Sequence, residues 1–264
     1  MNAPAPTGTL YLVPTPLDHG CAETIPLDDV LPLRTLKTAA ALRHWVVENA
    51  KSTRAFLKRV DSLVPLAQPV QAQQIHQLPR AAHKKGDHGP AAAVVDARVL
   101  LAPALHGHDI GLASEAGMPA IADPGSSVVR AAHDLGIPVV PLVGPTSIVL
   151  ALAASGLNGQ NFAFVGYLPQ DVEACETRIR ELETLARVTG QTQLFIETPY
   201  RNAKLLGVLL RVLSPSTRLS VCSGATLPSG LTQARSVAEW RAIGEVGAAD
   251  AMLMNTPSIF AVGP

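Results

Sequence analysis

The chain has 264 residues, of which 47% are hydrophobic and 16% charged, and this composition excludes an intrinsically disordered protein. Lysine plus arginine equals aspartate plus glutamate at 21 each, so the formal net charge is zero. A tight, sequence-independent nucleic-acid binder normally carries a basic excess, because contacts with phosphates supply its affinity. The balance disfavours that class of protein, although it leaves room for a local basic patch.

Three cysteines and eight histidines bear on compartment and metal content. The cysteines are far apart without a CxxC pair, which favours a reducing compartment over a disulfide framework or zinc cluster. The histidines show no HExxH or other ligand spacing, so we expect no metal. Residues 1–33 lack the basic start of a secretory signal, and the uncharged stretch Leu135–Gln170 is interrupted by Pro and Gly. We therefore expect a soluble cytoplasmic protein with no membrane span.

Strands and helices alternate in the first half of the chain. In chain order the pattern predicts strand Thr9–Val13, helix Leu27–Leu42, strand Trp45–Val47, helix Ser52–Val60, helix Pro90–Ala104, strand Ile110–Ala113, a helix capped by Ser126 and ended by Gly136, strand Val139–Leu142, and a helix from Thr146 to Gly156. This order implies a parallel sheet with helices on both faces. The polar, basic segment Leu78–Pro90 is predicted to be a surface loop, with a mobile binding lid as the alternative.

The stretch Gly156–Gln160 predicts a change of domain, so that residues 1–156 form one domain and residues 157–264 a second. The second domain repeats the theme with strand Phe162–Val165, helix Glu173–Val188, strand Leu194–Ile196, helix Asn202–Leu213, strands Leu219–Cys222 and Thr232–Val237, a short helix near Glu239–Ile243, and strand Ile259–Val262. Because an antiparallel pair is expected near its end, we predict two α/β/α domains, with a parallel sheet followed by a mixed sheet.

Four loops at predicted strand ends are rich in Gly, Pro and small hydroxyl residues. They are Pro14–Pro16, Ser114–Gly125, Val143–Ser147 and Glu197–Arg201. Ligands of parallel α/β sheets bind beyond the carboxyl ends of the strands, and small residues let a ligand approach the backbone closely. The chain lacks a GxGxxG dinucleotide fingerprint, the GK[ST] of a phosphate loop and a GxSxG nucleophile elbow.

These loops belong to an ordered series of motifs. The series is GTLYLVPTP (8–16), SEAGMPAIADPG (114–125), VVPLVGPTSIVLALAASGL (139–157), FVGYLP (164–169), FIETPYR (195–201) and NTPSIFAVG (255–263). It resembles the ribosomal RNA small-subunit methyltransferase I family of the tetrapyrrole methylase superfamily. The resemblance implies two α/β domains, S-adenosylmethionine (SAM) in the cleft between them, and a homodimer.

Carried over position by position, the resemblance implies a set of cofactor contacts. They are Pro14, Glu115, Ala116, Gly117, Met118, Pro119, Ile121, Thr146, Ser147, Glu197 and Ala225. Exposed backbone amides and carbonyls suit adenine and ribose, while acidic groups favour the sulfonium cation. No metal is required, because transfer is an in-line displacement dominated by positioning.

The chain departs from the family pattern mainly on the acceptor side. Leu17-Asp18-His19-Gly20 replaces a GNL-plus-acid pattern, and Glu48-Asn49-Ala50-Lys51 replaces EDTR. The usual HEHNE segment is reduced to Ile75-His76-Gln77, and SVCSGATL (220–227) stands where RELTK is expected. Cofactor binding is therefore better supported than an RNA substrate.

Three hypotheses stay open. The first, by resemblance, is methylation of a cytidine 2′-hydroxyl in small-subunit ribosomal RNA. Glu48 or Glu197 would then assist a poorly nucleophilic hydroxyl, and Lys51 and Arg201 would steer phosphate; each is equally compatible with a solvated loop residue. The second is a tetrapyrrole or other small-molecule acceptor, which the neutral charge and the altered segments favour. The third is a catalytically silent relative that binds SAM, or only a protein partner.

Overall fold

The computed structural model describes residues 7–79, 97–244 and 256–264. The chain divides into two compact units, the first formed by residues up to 20 and 25–145, the second by residues 21–24 and 146–264. Glu23 ties its short segment to the second unit, because its carboxylate accepts hydrogen bonds from the Ser229 backbone N–H (3.3 Å) and hydroxyl (2.9 Å). Most of the predicted loop 78–90, the start of the predicted helix 90–104 and the first residue of the 255–263 motif lie outside the described residues.

The first unit contains a five-stranded sheet in the order β3-β2-β4-β1-β5. Its strands are β1 (Leu10–Leu12), β2 (His44–Val47), β3 (Gln74–Gln77), β4 (Ile110–Ala113) and β5 (Val139–Pro141). Every pairing is parallel, which confirms the predicted parallel sheet. The sequence prediction missed β3, because among the described strands this one lies at the edge of the sheet beside β2 and has the polar sequence QIHQ rather than an apolar run.

Helices cover both faces of this sheet. They are α1 (Leu27–Val30), α2 (Leu33–Ala41), α3 (Ala50–Asp61), α4 (Ala97–Leu100), α5 (Ala102–Leu105) and α6 (Ser126–Asp134). The single helix predicted over 27–42 is two helices, because Pro32 follows an extended Leu31 and caps α2. Gly125 rather than Ser126 occupies the cap position of α6.

Side chains alternate between the two faces along each strand. Trp45 and Val47 pack with α1, α2 and α3, whereas Val46 packs on the opposite face with α4, α5 and α6. Trp45 is fully buried, and its indole N–H donates to the Gln73 side-chain oxygen at 3.1 Å. Both faces of the sheet are therefore apolar, as expected for parallel strands covered on each side.

The second unit contains a mixed sheet in the order β6-β7-β10-β8-β9. Its elements are α7 (Ser147–Ser155), β6 (Phe162–Tyr167), α8 (Val172–Thr189), β7 (Thr192–Glu197), α9 (Asn202–Val212), β8 (Arg218–Ser223), β9 (Leu231–Ser236), α10 (Val237–Ala242) and β10 (Ser258–Gly263). The pair β6–β7 is parallel, and the other three pairings are antiparallel. This arrangement confirms the predicted mixed sheet.

Helix α7 packs on the second sheet. Its residues Ile148, Ala151 and Leu152 are buried in one cluster with Leu194 and Ile259. The sequence boundary at residue 156 assigned this helix to the first domain, whereas its packing and the division at 145/146 place it in the second unit. The glycine-rich stretch ends the helix, since Gly156 adopts a left-handed φ of 69°. The boundary between the hydrophobic cores of the two units lies before the helix, not after it.

Helix α8 has eighteen residues and a charged outer surface. Two of its three arginines are paired, Arg178 with Glu181 at 2.9 Å and Arg180 with Glu176 at 3.1 Å. Within the described ranges, no helix is both long and apolar enough to cross a bilayer.

Candidate functional site

The loops after β1 and β4 meet at the point where the connections of the first sheet change direction. The connection from β1 leads to β2 on one side, and the connection from β4 leads to β5 on the other. Adjacent loops that leave for opposite faces open a crevice beyond the strand ends, which is where ligands of open α/β sheets bind. The fold therefore selects the loops 14–16 and 114–125 as the site of the first unit.

Backbone hydrogen bonds join these two loops. Thr15 and Gly117 form an isolated antiparallel bridge, with each N–H donating to the other's carbonyl at 3.0 Å. The Thr15 hydroxyl also donates to the Ser114 carbonyl at 3.3 Å, and both Thr15 and Ser114 are buried. These hydrogen bonds fix the positions of the two loops relative to each other at the crevice.

The loop 114–125 adopts unusual backbone angles. Gly117 and Gly125 have φ values of 76° and 135°, as only glycine adopts readily. Ala120 and Ala122 each have φ of 64°, a left-handed conformation that costs a non-glycine residue about 1 kcal/mol or more. Strain of this kind persists where surrounding contacts impose the shape, and it is concentrated at functional loops.

The loop after β5 packs closely on the loop after β1. A Cβ atom on Gly144 would lie 2.3 Å from Cγ of Pro14, well inside van der Waals contact. The Thr35 hydroxyl of α2 donates to the Val143 carbonyl at 2.7 Å and holds this loop from the other side. Three of the four predicted loops thus lie at one edge of the first sheet, after the neighbouring strands β4, β1 and β5.

Three carboxylates surround the same crevice. Glu48 follows β2, and its carboxylate accepts the Glu115 backbone N–H at 3.2 Å. Asp123 is half-buried; burial raises the pKa of Asp123 to about 7, with the nearby charge of Glu48 as the next contribution and that of Glu115 a smaller one. A hydrogen bond from Ser114 opposes this rise. Asp123 therefore holds or releases a proton near neutral pH.

Two basic residues, His19 and Lys51, belong to the altered segments near these acids. The His19 imidazole is 3.4 Å from the Glu115 carboxylate, and both side chains are partly exposed. Lys51 is exposed in the first turn of α3, where Asn49 caps the helix by accepting the Lys51 backbone N–H at 2.9 Å. The altered segments 17–20 and 48–51 thus contribute to this edge of the first unit.

Glu197 of the second unit is ion-paired. Its carboxylate lies 2.7 Å from the Arg201 guanidinium, and its other oxygen accepts the Thr198 N–H (2.7 Å) and hydroxyl (3.1 Å). The Glu197 side chain is only 5% exposed. These contacts leave Glu197 neutralised and saturated, so the geometry favours a role in shaping its loop. Arg201, four residues along the chain, is thereby also neutralised.

A small cavity adjoins this pair. It has a volume of about 30 Å³ and is lined by residues that include Cys175, Glu197, Arg201 and Lys204. Such a volume accommodates only one or two water molecules. Burial raises the pKa of the Cys175 thiol, with the charge of Glu197 contributing in the same direction. The cavity is too small for a nucleoside, and the thiol there is held in its neutral form.

Arg201→Gln is expected to lower the free energy of unfolding by about 2 kcal/mol, because it leaves the buried Glu197 carboxylate without its counter-ion. Arg178→Gln is the matched control: its partner Glu181 is 57% exposed, so a loss below about 1 kcal/mol is expected. Urea unfolding of both variants at pH 7 measures the difference. Equal losses would contradict a structural role for the Glu197 pair.

The other predicted contacts of the second unit lie at α7 and after β8. Thr146 caps α7 and Ser147 begins it, and both are partly buried. Ala225 packs beside the apolar cluster of α7 and the sheet. The neighbouring Thr226 hydroxyl is buried without a hydrogen-bond partner among the described residues. A buried hydroxyl of this kind has a hydrogen bond to offer to a bound group.

The predicted site residues therefore fall into two sets. At the carboxyl edge of the first sheet lie Pro14, Glu48, Lys51, Glu115, Ala116, Gly117, Met118, Pro119 and Ile121; the second unit contributes Thr146, Ser147, Glu197, Arg201 and Ala225. Sequence reasoning missed Asp123, although it lies inside the quoted motif SEAGMPAIADPG. The sequence does not show whether an acidic residue in a loop is buried or lies near another carboxylate. No cluster of potential metal ligands occurs among the described residues.

Comparison with known proteins places these loops in a family context. A family model described as Tetrapyrrole (Corrin/Porphyrin) Methylases matches residues 31–237. Ribosomal RNA small subunit methyltransferase I of Halalkalibacterium halodurans is 32% identical over 221 residues, which is 83% of this chain and 65% of that protein. The chain thus spans slightly less than two thirds of this curated relative.

Two solved structures share the fold. The methyltransferase CobJ has a TM-score of 0.56 and 16% identity, with 97% of this chain and 94% of that chain covered. Uroporphyrin-III C-methyltransferase from Thermus thermophilus, complexed with S-adenosylhomocysteine, has a TM-score of 0.52 and 18% identity, with 97% and 92% covered. At these sequence identities the likeness establishes only the fold, that is, the arrangement of helices and strands.

Proposed function

Because this chain belongs to the family of Tetrapyrrole (Corrin/Porphyrin) Methylases, we propose that it is a SAM-dependent methyltransferase that methylates the 2′-hydroxyl of a cytidine in small-subunit ribosomal RNA. The name of the 32% identical relative supports small-subunit ribosomal RNA as the substrate. The observation that carries the proposal is the crevice at the change of direction of the first sheet, where a half-buried Asp123 with a pKa of about 7 lies beside Glu48.

The residues at the crevice fit SAM. Glu48 and Glu115 supply negative charge that favours a sulfonium cation, and the strained loop 114–125 presents backbone groups next to small residues. In the second unit, the Thr226 hydroxyl is buried and has no hydrogen-bond partner among the described residues, so it has a hydrogen bond to offer to a ligand of that unit. The S-adenosylhomocysteine complex of the Thermus thermophilus enzyme supports the same class of cofactor. When bound, SAM supplies an electrophilic methyl group.

Part of the proposal is that both units bind the cofactor together. The contacts assigned by resemblance are Pro14, Glu115, Ala116, Gly117, Met118, Pro119 and Ile121 from the first unit, with Thr146, Ser147, Glu197 and Ala225 from the second. The saturated carboxylate of Glu197 would act by holding its loop, since Arg201 and Thr198 already occupy its oxygens. Homodimer formation and a cytoplasmic location complete the proposal.

Asp123 is the group best suited to take the acceptor's proton. A ribose hydroxyl is a weak nucleophile, and a base is most effective when its pKa lies near the working pH. Above pH 7 the Asp123 carboxylate is ionised, because burial and Glu48 have raised its pKa only to about 7. The negative charge of Glu48 would keep the pKa of Asp123 raised. Lys51 would attract a phosphate of the substrate strand.

Calorimetric titration and a transfer assay test the proposal. We expect SAM and S-adenosylhomocysteine to bind with micromolar affinity at one site per chain. Radiolabelled methyl should then appear in small-subunit ribosomal RNA at a ribose whose 3′ phosphodiester resists alkaline hydrolysis, as a 2′-O-methyl group requires.

Three other results would redirect the assignment. Transfer to a tetrapyrrole with none to RNA would establish the small-molecule alternative, and SAM binding without transfer to either acceptor would favour a silent relative. Absence of SAM binding by folded protein, with and without RNA, would contradict the cofactor itself.

A further inference from the structure

Helices α2 and α3 carry a concentration of positive charge that the zero net charge of the chain conceals. Together they contain six cationic residues and one acidic residue, Asp61. Arg59 is neutralised by Asp18, whose carboxylate it binds at 2.8 and 3.1 Å. The remaining five cations are all exposed, and we call them the basic face: Arg34, Lys37, Lys51, Arg54 and Lys58.

Helical geometry aligns these side chains. On α3, Lys51, Arg54 and Lys58 are spaced i, i+3 and i+7, so they follow one line along the helix. Phe56 and Val60 point the other way into the core, which keeps that line towards solvent. Helix α2 buries Leu36 in the same core and exposes its own cations on the outer side. Both helices thus cover one face of the sheet with their charges outward.

The basic face is not ion-paired within the described residues. None of its five side chains forms an ion pair with a carboxylate in the part of the chain that the structure describes. Helix α8 shows the contrasting case, since Arg178 and Arg180 each pair with a glutamate on the same helix. Like charges that repel one another on neighbouring helices weaken the fold slightly, and an anionic partner removes that repulsion.

The basic face starts at the proposed reaction centre. Asn49, the cap of α3, directly follows Glu48, and Glu48 contacts the loop that holds Asp123. From Lys51 to Lys58 the line extends about 10 Å along the helix, at about 1.5 Å per residue. A polymer whose reacting residue lies at the strand ends would therefore continue along a row of positive charges.

We propose that the basic face binds the phosphates of the RNA strand next to the methylated nucleotide. This inference rests on the proposed function and names the surface that its RNA substrate would use. The exposed positions of α3 are Lys51, Arg54, Ala55, Lys58 and Asp61, and α2 exposes one large apolar side chain, Leu33. A helix that inserts into a membrane surface needs a continuous face of large apolar groups, so phosphate contacts with RNA fit this face better.

Two double variants with the same change in net charge test the proposal. Arg54→Gln/Lys58→Gln removes two charges from the basic face, and Arg178→Gln/Arg180→Gln removes two paired charges from α8. Affinity for a fluorescent small-subunit ribosomal RNA fragment is measured by anisotropy at several salt concentrations, and SAM titration verifies that each variant is folded. The first variant should lose at least tenfold in RNA affinity at 0.1 M salt. The slope of log affinity against log salt should shrink by about 1 to 2, and the α8 variant should stay within about twofold of wild type.

The outcomes separate this inference from the proposed function. If wild type methylates RNA and Arg54→Gln/Lys58→Gln binds it with unchanged affinity and slope, the basic face is not the RNA surface, although the function stands. An equal loss of RNA affinity in both variants would show that only the net charge of the protein matters, and it would likewise overturn the inference. If wild type binds SAM but not RNA, both fail, and loss of binding to phosphatidylserine vesicles in Arg54→Gln/Lys58→Gln would then assign the face to a membrane.

Discussion

Asp123→Asn is expected to reduce the rate of methyl transfer, kcat, by about 100- to 1,000-fold while SAM affinity stays within a few-fold of wild type. The amide has nearly the shape of the carboxyl group but cannot accept a proton. In wild type, activity should rise as the pH increases through about 7, because only the ionised Asp123 can act as base. The variant should lose this rise, which a pH series of single-turnover rates measures directly.

The same substitution should increase stability at alkaline pH. The folded-state pKa of Asp123 is raised from 3.8 to about 7, so the folded protein binds this proton more tightly than the unfolded chain does. Folding is therefore destabilised progressively as the pH rises from about 4 to about 7, and the cost is complete above pH 7. Asp123→Asn removes this destabilisation, which is of the order of a few kcal/mol in the free energy of unfolding. The thermal midpoint of the variant at pH 8 should therefore exceed that of wild type.

Asp134→Asn is the matched control for both measurements, since Asp134 is exposed at the end of α6. It should change neither the pH profile of kcat nor the thermal midpoint at pH 8. A substituted Asp123 that retains the rise in activity through pH 7 would exclude this residue as the base. A lower kcat with the same pH profile would indicate a structural role.

Gly144→Ala is expected to weaken SAM binding by at least tenfold and to lower the free energy of unfolding by up to about 3 kcal/mol. The new methyl group would lie 2.3 Å from Cγ and 2.6 Å from Cβ of Pro14, and the proline ring cannot rotate away. The loops after β1 and β5 must therefore separate, which displaces Pro14 from its position beside the Thr15–Gly117 bridge. Calorimetry and urea unfolding measure the two losses.

Gly207→Ala provides the opposite result with the same chemical change. Gly207 lies within α9, and nothing is within 4 Å of the Cβ position. Alanine there should stabilise the protein by about 0.5 to 1 kcal/mol and leave SAM affinity unchanged. If Gly144→Ala binds SAM as wild type does, the close packing of these two loops has no part in the cofactor site.

Local sequence predicted the fold where burial and pattern agree. Ile110–Ala113 was predicted with its observed bounds because a fully buried parallel strand requires a short apolar run. The polar edge strand β3 escaped prediction because pairing with β2, rather than its own composition, makes it a strand. The assignment of α7 likewise depends on which sheet its apolar residues meet, and sequence spacing carries no such information.

For the site, the sequence by itself determined the family, the four small-residue loops and the two-sheet α/β architecture, because motif order and hydrophobic pattern are local properties. Tertiary structure alone decided which groups act together. It buried Asp123 near Glu48 and raised its pKa, it neutralised Glu197 with Arg201, and it left the basic face of α2 and α3 without a carboxylate partner among the described residues. Proton affinity and charge pairing depend on burial and on the distances between side chains, which are set only when the chain is folded.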